Sequence, residues 1–354
     1  MSDLEVCILP YRLKLASIAK ENLSICAHTI IKLLLFPNEG KEFFSFTETP
    51  SSISLIIDEA AIETFPAEAK VGVSSTVFIP FQIQTGQSGT VPVLHSIAVP
   101  LANNGISILQ LSTYETDYTL IPEELVKKAL SCFPPTFVIR DESQLFEDAI
   151  SNIQSPFFNA KRNSVNGSSL SMQIHQFQDG DATNEKQWTD SEFLSKIATS
   201  EQITNLRRVV SFPDCPVYVT SLAGSVEAVQ DTMSIPLINL LFFSDDRQRG
   251  DRFFSFTRTS ENASLILSEP CLSLFPPGSL NFCGGAWSIL KIEDVAFAFE
   301  QCGIVRDCTE RLKNLGISIF YLTTYHTDYL LVNQEDYHAV MNALVHYDSL
   351  EISN

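Results

Sequence analysis

The chain contains two copies of one half. Residues 43–66 (FFSFTETPSSISLIIDEAAIETFP) and 253–276 (FFSFTRTSENASLILSEPCLSLFP) are identical at 12 of 24 positions, at an offset of 210. Residues 101–120 (LANNGISILQLSTYETDYTL) and 312–331 (LKNLGISIFYLTTYHTDYLL) are identical at 13 of 20, at an offset of 211. Two ungapped blocks in the same order, at nearly the same offset, mean a duplicated gene. Whatever fold one half adopts must also suit the other.

Within the first half the elements alternate. Arg12–Ile18 has period-two alternation and predicts a strand. Ala27–Leu35 is an apolar helical run. Phe43–Thr49 and Ser54–Glu59 flank Pro50-Ser51-Ser52 and predict a hairpin, followed by a helical turn over Ala60–Phe65 and a strand over Thr76–Ile83. A helix over Val91–Asn103 ends at Gly105, which suits a glycine in the left-handed region just past a helix. Pro100 is expected to kink it. Strands over Ile106–Thr113 and Tyr118–Ile121, a helix over Glu123–Cys132 and a strand over Thr136–Ile139 follow. In the second half, Val295–Phe299, Arg306–Leu315 and Ser318–Thr324 predict strand, helix and strand.

Each half therefore reads as two small βαββαβ-like units, and the class is α+β. The expected boundaries are 9–80, 78–140, 212–290 and 287–350. Residues 141–211 between them are rich in Ser, Asn, Gln and Asp and read as a partly disordered linker, with a short helix near Asp190–Ala198. A small sheet with helices on one face needs cover on the other. Four such units should pack together and leave ligand-sized clefts between them.

Composition removes several functions. There are 23 Lys and Arg against 42 Asp and Glu, a formal charge of −19. Nucleic acid needs clustered cations, so that class is excluded; anionic membrane surfaces are disfavoured for the same reason. Val71–Tyr114 carries no formal charge, but polar residues, Gly and Pro interrupt it, so no membrane insertion is expected. The eight cysteines form no C-x-x-C pair, and no secretory signal is visible, which suits reduced thiols in a cytoplasmic setting. His28, His95, His175, His326, His338 and His346 lack metal-ligand spacing, and no metal or cofactor is expected. There is no G-x-G-x-x-G, P-loop or G-x-S-x-G; Ser17-Ile18-Ala19-Lys20 fits S-x-x-K without its companion motifs. No catalytic role is expected.

One stretch invites a ligand. Glu300-Gln301-Cys302-Gly303-Ile304-Val305 turns from a strand into a helix, and free N–H groups at such a helix start accept a carboxylate or phosphate. Gly303 also suits a plain tight turn. Asp328 and its repeat partner Asp117 end the pattern T-Y-x-T-D-Y. Each can close a turn, or face a bound cation through a charge-assisted hydrogen bond of about 1.5–3 kcal/mol. Ser107 and Ser318 follow Gly-Ile in each copy and can bond a ligand's ammonium or carboxylate, or simply line a strand edge.

The glycine-led helix followed by Gly-Ile-x-Ile resembles the ACT domain, a small amino-acid-binding regulatory module. FFSFTETP, ISILQLSTYETDY, CGIV and the recurrence of FFSF are similar to the CASTOR (GATS-like) family of cytosolic arginine sensors. The resemblance spans roughly 9–140 and 212–350. It implies four tandem ACT-type units, a homodimer, and one arginine bound between the second and fourth units. It also implies a GATOR-type complex of the TOR pathway as partner, inhibited without arginine and released with it. By this resemblance Ser107 and Ile108 contact the amino-acid head, and Cys302, Gly303 and Ile304 belong to the covering loop, as do Ala298 and Gln301. Thr324 and Tyr325 present carbonyls to the guanidinium, and Asp328 pairs with it. Tyr114, Glu115 and Asp117 match the partner-binding patch.

Three positions differ from the family pattern. Ala298 stands in place of a glycine, Gln301 in place of a glutamate, and Glu115 in place of a glutamine. Glutamine hydrogen-bonds an α-ammonium but does not neutralise it, a loss of about 1 kcal/mol or more. The Ala298 and Gln301 differences keep open a ligand-independent ACT scaffold. The resemblance to ACT units, which often control amino-acid biosynthesis, keeps open the regulatory subunit of an amino-acid biosynthetic enzyme.

Overall fold

The computed structural model describes residues 4–36, 43–84, 91–146, 148, 208–223, 233–243, 252–293 and 302–345. The expected helix near Asp190–Ala198, the strand Val295–Phe299, Ala298 and Gln301 lie outside these residues, as does most of the expected linker.

The strands are β1 (Leu4–Ile8), β2 (Leu13–Ile18), β3 (Phe44–Glu48), β4 (Ile53–Asp58), β5 (Gly72–Val73), β6 (Phe78–Gln84), β7 (Leu109–Ser112), β8 (Asp117–Pro122) and β9 (Phe137–Asp141). The second half supplies β10 (Arg208–Leu222), β11 (Phe254–Arg258), β12 (Ala263–Ser268), β13 (Leu280–Phe282), β14 (Trp287–Glu293), β15 (Ile319–Thr323) and β16 (Asp328–Asn333). The α-helices are α1 (Ala27–Leu35), α2 (Val91–Asn103), α3 (Val126–Cys132), α4 (Ser234–Ile238), α5 (Glu269–Leu272), α6 (Ile304–Leu312) and α7 (Tyr337–Val345). Helices α1 and α2 have the bounds their periodicity predicts. Pro100 lies inside α2, which continues past it to Asn103.

The strands do not form four separate sheets. They join in one, in the order β5-β2-β4-β3-β11-β12-β10-β14-β16-β15-β7-β8-β6-β1-β9, and β2 also pairs with β6 through Leu13 and Phe78. That pairing closes the sheet on itself. Closure answers the edge problem that each small sheet would face alone.

Alternation along the strands sorts side chains to two sides. The inner side is a single apolar cluster that includes Leu13, Ile56, Leu111, Tyr118, Phe320 and Leu331. Within it Trp287 meets Phe320 edge-on at 4.8 Å, and Phe253 meets Tyr329 at 5.0 Å. On the outer side, α1 and α4 cover β3, β4, β11 and β12, while α2, α3, α6 and α7 cover the other arm. Each fully buried Leu, Ile or Phe contributes about 1.5–3 kcal/mol, so these layers dominate stability.

Several elements differ from expectation: the helix expected over Arg306–Leu315 runs Ile304–Leu312, and the strand expected over Ile106–Thr113 is confined to Leu109–Ser112. β1 precedes the first expected unit and pairs antiparallel with β6 and parallel with β9. Its five residues are too few to show a clear period. β10 begins at Arg208, inside the expected linker, and its register against β14 shifts between Phe212 and Val217. Pro213 and Pro216 fall there; proline has no N–H to give a ladder, so the pairing is interrupted at that point.

Candidate functional site

The two halves meet along two seams. At the first, β3 and β11 pair over five residues, from Phe254 opposite Glu48 to Arg258 opposite Phe44. Ser45 meets Thr257, and Thr47 meets Ser255, each with hydroxyls 2.9 Å apart. Ser45 and Thr47 are the repeat partners of Ser255 and Thr257, so the seam is two-fold symmetric. Charged side chains buried beside it lock the halves. Arg252 donates to Glu48 and to Leu240 O, and Arg258, 1% exposed, donates to Leu34 O (2.6 Å) and Leu33 O (2.9 Å) at the end of α1.

The second seam, β7 against β15, is thinner. Only Leu322 and Leu111 pair. On either side a hydroxyl takes the place of a backbone carbonyl: Tyr321 N–H donates to Ser112 Oγ (3.0 Å) and Gln110 N–H donates to Thr323 Oγ1 (2.9 Å). Gln110, Ser112, Tyr321 and Thr323 share the outer, helix-facing side with Asp117, Thr119 and Asp328, since their neighbours Leu111, Tyr118, Leu322 and Tyr329 face inward. All seven are buried. Tyr321 Oη donates to Asp328 Oδ2 (2.7 Å), and Thr119 Oγ1 donates to Gln110 Oε1 (2.8 Å). Gln110 is 0% exposed, and its side-chain nitrogen has no hydrogen-bond partner among the described residues. A buried donor of this kind calls for an ordered water or a ligand.

Above the seam lies the start of α6. Gly303 sits at φ 96°, and a Cβ there would come within 3.0 Å of Arg306 Nη2, so this turn needs glycine. Gly303 offers no side-chain cap, which leaves the first N–H groups of α6 to other acceptors. The turn rests on the end of α2. That end carries paired hydrogen bonds from Gly105 N–H to Ala102 O and from Ile106 N–H to Leu101 O, both 3.0 Å, with Gly105 at φ 66° as its sequence predicts. Cys302 Sγ donates to Ile106 O (3.2 Å) and Ala102 O (3.6 Å). Ile108 and Ile304 pack into the same cluster. Cys302, Gly303 and Ile304 thus stand against Ile106–Ile108, with Ser107 half-buried between them.

His95 ties α2 to α6. Its Nδ1 lies 3.2 Å from Thr309 Oγ1 and its Nε2 3.2 Å from Glu310 Oε2. Burial pushes the imidazole below its ordinary value, although Glu310 pulls the other way. Burial wins because the Glu310 carboxylate is itself exposed to screening solvent.

Other expected site residues lie elsewhere. Thr324 continues the inward-facing side of β15, and Tyr325 packs against the inner cluster, so their side chains oppose that of Asp328 across the sheet. Thr324 N–H and Oγ1 both donate to Thr327 O, and Tyr325 N–H donates to Ser54 Oγ (2.9 Å). In the other copy, Tyr114 N–H donates to Ser264 Oγ (2.9 Å). Glu115 is exposed and accepts from Asn262 Nδ2 (3.1 Å). Asp117 does not share their surface. It is 3% exposed, on the helix-facing side of the sheet.

Gln110, Ser112, Tyr321 and Thr323 were not anticipated. Their signal was a polar atom at every second position of ILQLS and IFYLT, hidden by their apolar neighbours. Among the described residues no group of three or more His, Cys, Asp or Glu is placed to hold a metal, and no helix is long and apolar enough to cross a membrane.

Comparison with known proteins gives the family. The ACT domain model matches residues 73–133 and 284–345. The model of the cytosolic arginine sensor for mTORC1 subunit 1 N-terminal domain matches residues 12–71. The chain is 25% identical over 349 residues to the cytosolic arginine sensor for mTORC1 subunit 1 of Rattus norvegicus, covering 96% of each chain. It is 23% identical over 360 residues to that of Homo sapiens, covering 96% of this chain and 97% of the relative. Among solved structures, aspartate kinase from Synechocystis aligns over 96% of this chain and 55% of its own at 11% identity, with a TM-score of 0.32, too low to bear on the fold. On the two family models and the near full-length relatives, the chain belongs to the CASTOR family, whose halves carry ACT-type α+β domains.

Proposed function

We propose that this protein is a non-catalytic, cytosolic amino-acid sensor in mTORC1 signalling, built of four ACT-type units at 9–80, 78–140, 212–290 and 287–350. Its ligand, arginine by preference, lies between the second and fourth units. The reading is carried by one observation: on the helix-facing side of the thin β7–β15 seam stand both a buried carboxylate, Asp328, and the uncapped start of α6. A ligand carboxylate suits the N–H groups after Gly303, flanked by Ser107, Ile108, Cys302 and Ile304. A guanidinium suits Asp328, with backbone carbonyls of Thr324 and Tyr325 beside it. Ala298 and Gln301 complete the covering loop in this reading. A ligand spanning the seam favours the state in which the two units are closed, and it shifts that balance only by its differential affinity.

The partner is a GATOR-type complex engaged near Tyr114 and Glu115. The assembly is a homodimer, for which exposed Ile25 and Phe36 flanking α1 and exposed Ile235 and Phe243 at the ends of the repeat-related helical segment supply apolar surface. The relatives' names as sensors, and the regulatory character of ACT domains, support the absence of catalysis.

Calorimetry with the twenty amino acids tests the sensing. Arginine binds, and Asp328→Asn weakens it roughly 10- to 150-fold, the value of a charge-assisted hydrogen bond. No heat with any amino acid, from a folded protein, overturns the reading. The Gln301 substitution favours one alternative, a scaffold whose partner binding ignores arginine; a pull-down unchanged by arginine selects it.

A further inference from the structure

The duplication supplies an internal comparison for a surface. Each T-Y-x-T-D-Y turn is seated on the other half in the same way, through Tyr114 N–H on Ser264 and Tyr325 N–H on Ser54, which are repeat partners. The strands around each seat also correspond. Tyr218 lies opposite Leu267 as Lys14 lies opposite Ile57, and Phe282 lies opposite Thr220 as Val73 lies opposite Ala16.

The side chains at corresponding places have diverged in chemistry. Around Tyr114 stand Glu115, Glu261, Tyr218 and Phe282. Around Tyr325 stand His326, Ser51, Lys14 and Val73. One surface has three aromatic rings and two carboxylates; the other has one such ring and two groups that carry positive charge when protonated. Phe282 is 48% exposed, and its ring meets Tyr218 edge-on at 6.1 Å. Tyr114 Oη reaches Phe282 O at 3.5 Å, which joins the turn to strand β13. Glu115 and Glu261 are both exposed and flank this group from adjacent turns. On the opposite surface, Lys14 Nζ is bound down by Ser74 O and Ser75 O, and His326 Nε2 contacts Ser17 Oγ. Both carboxylates are held at the surface by structural bonds, Glu115 accepting from Asn262 Nδ2 (3.1 Å) and Glu261 from Gln82 Nε2 (2.9 Å), whereas packing does not account for the exposed Phe282 ring beside them.

We propose that Tyr114, Glu115, Tyr218, Glu261 and Phe282 form a docking surface for a basic segment of a partner protein, with an apolar side chain of that segment seated on Phe282. This deepens the partner-binding half of the function proposed above and rests on it. It extends the surface from the Tyr114 turn onto β10, β13 and the β11–β12 turn. Aromatic anchors ringed by charge are the usual composition of an interaction hot spot, and paired carboxylates select a cationic partner.

Two arms test this on the full chain. In the first, a synthetic peptide alternating Lys and Leu is titrated against the protein, with a peptide alternating Glu and Leu as control. The basic peptide binds, and Phe282→Ala and the pair Glu115→Lys with Glu261→Lys each weaken it at least tenfold. The opposite-surface variants Val73→Ala and His326→Ala, and reversal of the distant exposed Glu63 and Glu68, change it less than twofold. Equal losses from all these variants, or no binding, overturn the docking surface. In the second arm the purified GATOR-type complex replaces the peptide. Peptide selectivity without complex binding sinks the partner reading and keeps the surface; complex binding that Phe282→Ala and the double reversal leave intact sinks the surface and keeps the partner.

Discussion

Ser112 and Thr323, repeat partners 211 positions apart, hold the β7–β15 seam by exchanging roles: each accepts from a backbone N–H of the opposite strand, Tyr321 and Gln110 respectively. The corresponding β3–β11 seam is a five-residue ladder with hydroxyls bonded to each other. The same duplication thus produced one rigid junction and one held by two side chains.

Removing both hydroxyls, Ser112→Ala with Thr323→Ala, leaves two buried N–H groups without acceptors. Each costs about 1–3 kcal/mol, so denaturant unfolding shows a loss of roughly 2–6 kcal/mol. Ser45→Ala with Thr257→Ala removes both partners of one bond and costs about 1 kcal/mol or less. Equal losses from the two pairs refute the distinction between the seams.

The buried pair Glu48–Arg252 and the exposed pair of Arg12 with Glu59 make a second contrast. Glu48→Ala leaves the buried Arg252 guanidinium without its carboxylate and lowers stability by about 3–5 kcal/mol. Arg12→Ala costs at most about 1 kcal/mol, because solvent screens that contact. Urea midpoints of the two variants decide it.

Gly303→Ala meets chiefly the left-handed φ of 96°, since the 3.0 Å approach is to the far end of the flexible, partly exposed Arg306 side chain, which can swing away. The cost is about 1–3 kcal/mol. Gly105→Ala has the φ penalty alone, since nothing lies within 4 Å of its Cβ, and costs about 1 kcal/mol. In calorimetry Gly303→Ala also weakens ligand binding and Gly105→Ala does not.

His95 is held below its ordinary value of about 6.5 by burial, so the folded protein binds fewer protons there than the unfolded chain. Its contribution is full above that ordinary value and is lost as pH falls below it, towards the lowered folded value. Melting temperature therefore drops from pH 7 to pH 5 more steeply in the wild type than in His95→Phe, which cannot take up the proton. Parallel profiles would refute the assignment.

Cys7 is a buried thiol pushed up to about 12, chiefly by burial. Only the thiolate reacts readily with iodoacetamide. At pH 8.5 the native protein leaves Cys7 unmodified, and denaturation exposes it; peptide mass spectrometry reads both states.

Much of the candidate site was legible from residues alone. Gly303 at a helix start and Asp328 at a strand end are local signals. Asp117 shows the limit of such reading. It carries the same motif as Asp328, and only the structure shows that α2 and its neighbours cover its side of the sheet. The alternating polar atoms of Gln110 and Tyr321 were too weak a signal, because a polar atom in an apolar strand reads as core until the partner strand is known.

The amino-acid sequence by itself determined the duplication, the α+β class and the bounds of α1 and α2. Those depend on periodicity and caps within a few residues, and a repeat is visible without any structure. The tertiary structure decided which strands became neighbours. β1 joined β6 and β9, β2 closed the sheet on β6, and two equivalent seams became unequal. Sheet pairing is settled by burial and by hydrogen bonds between residues far apart in the chain, and no local pattern records it.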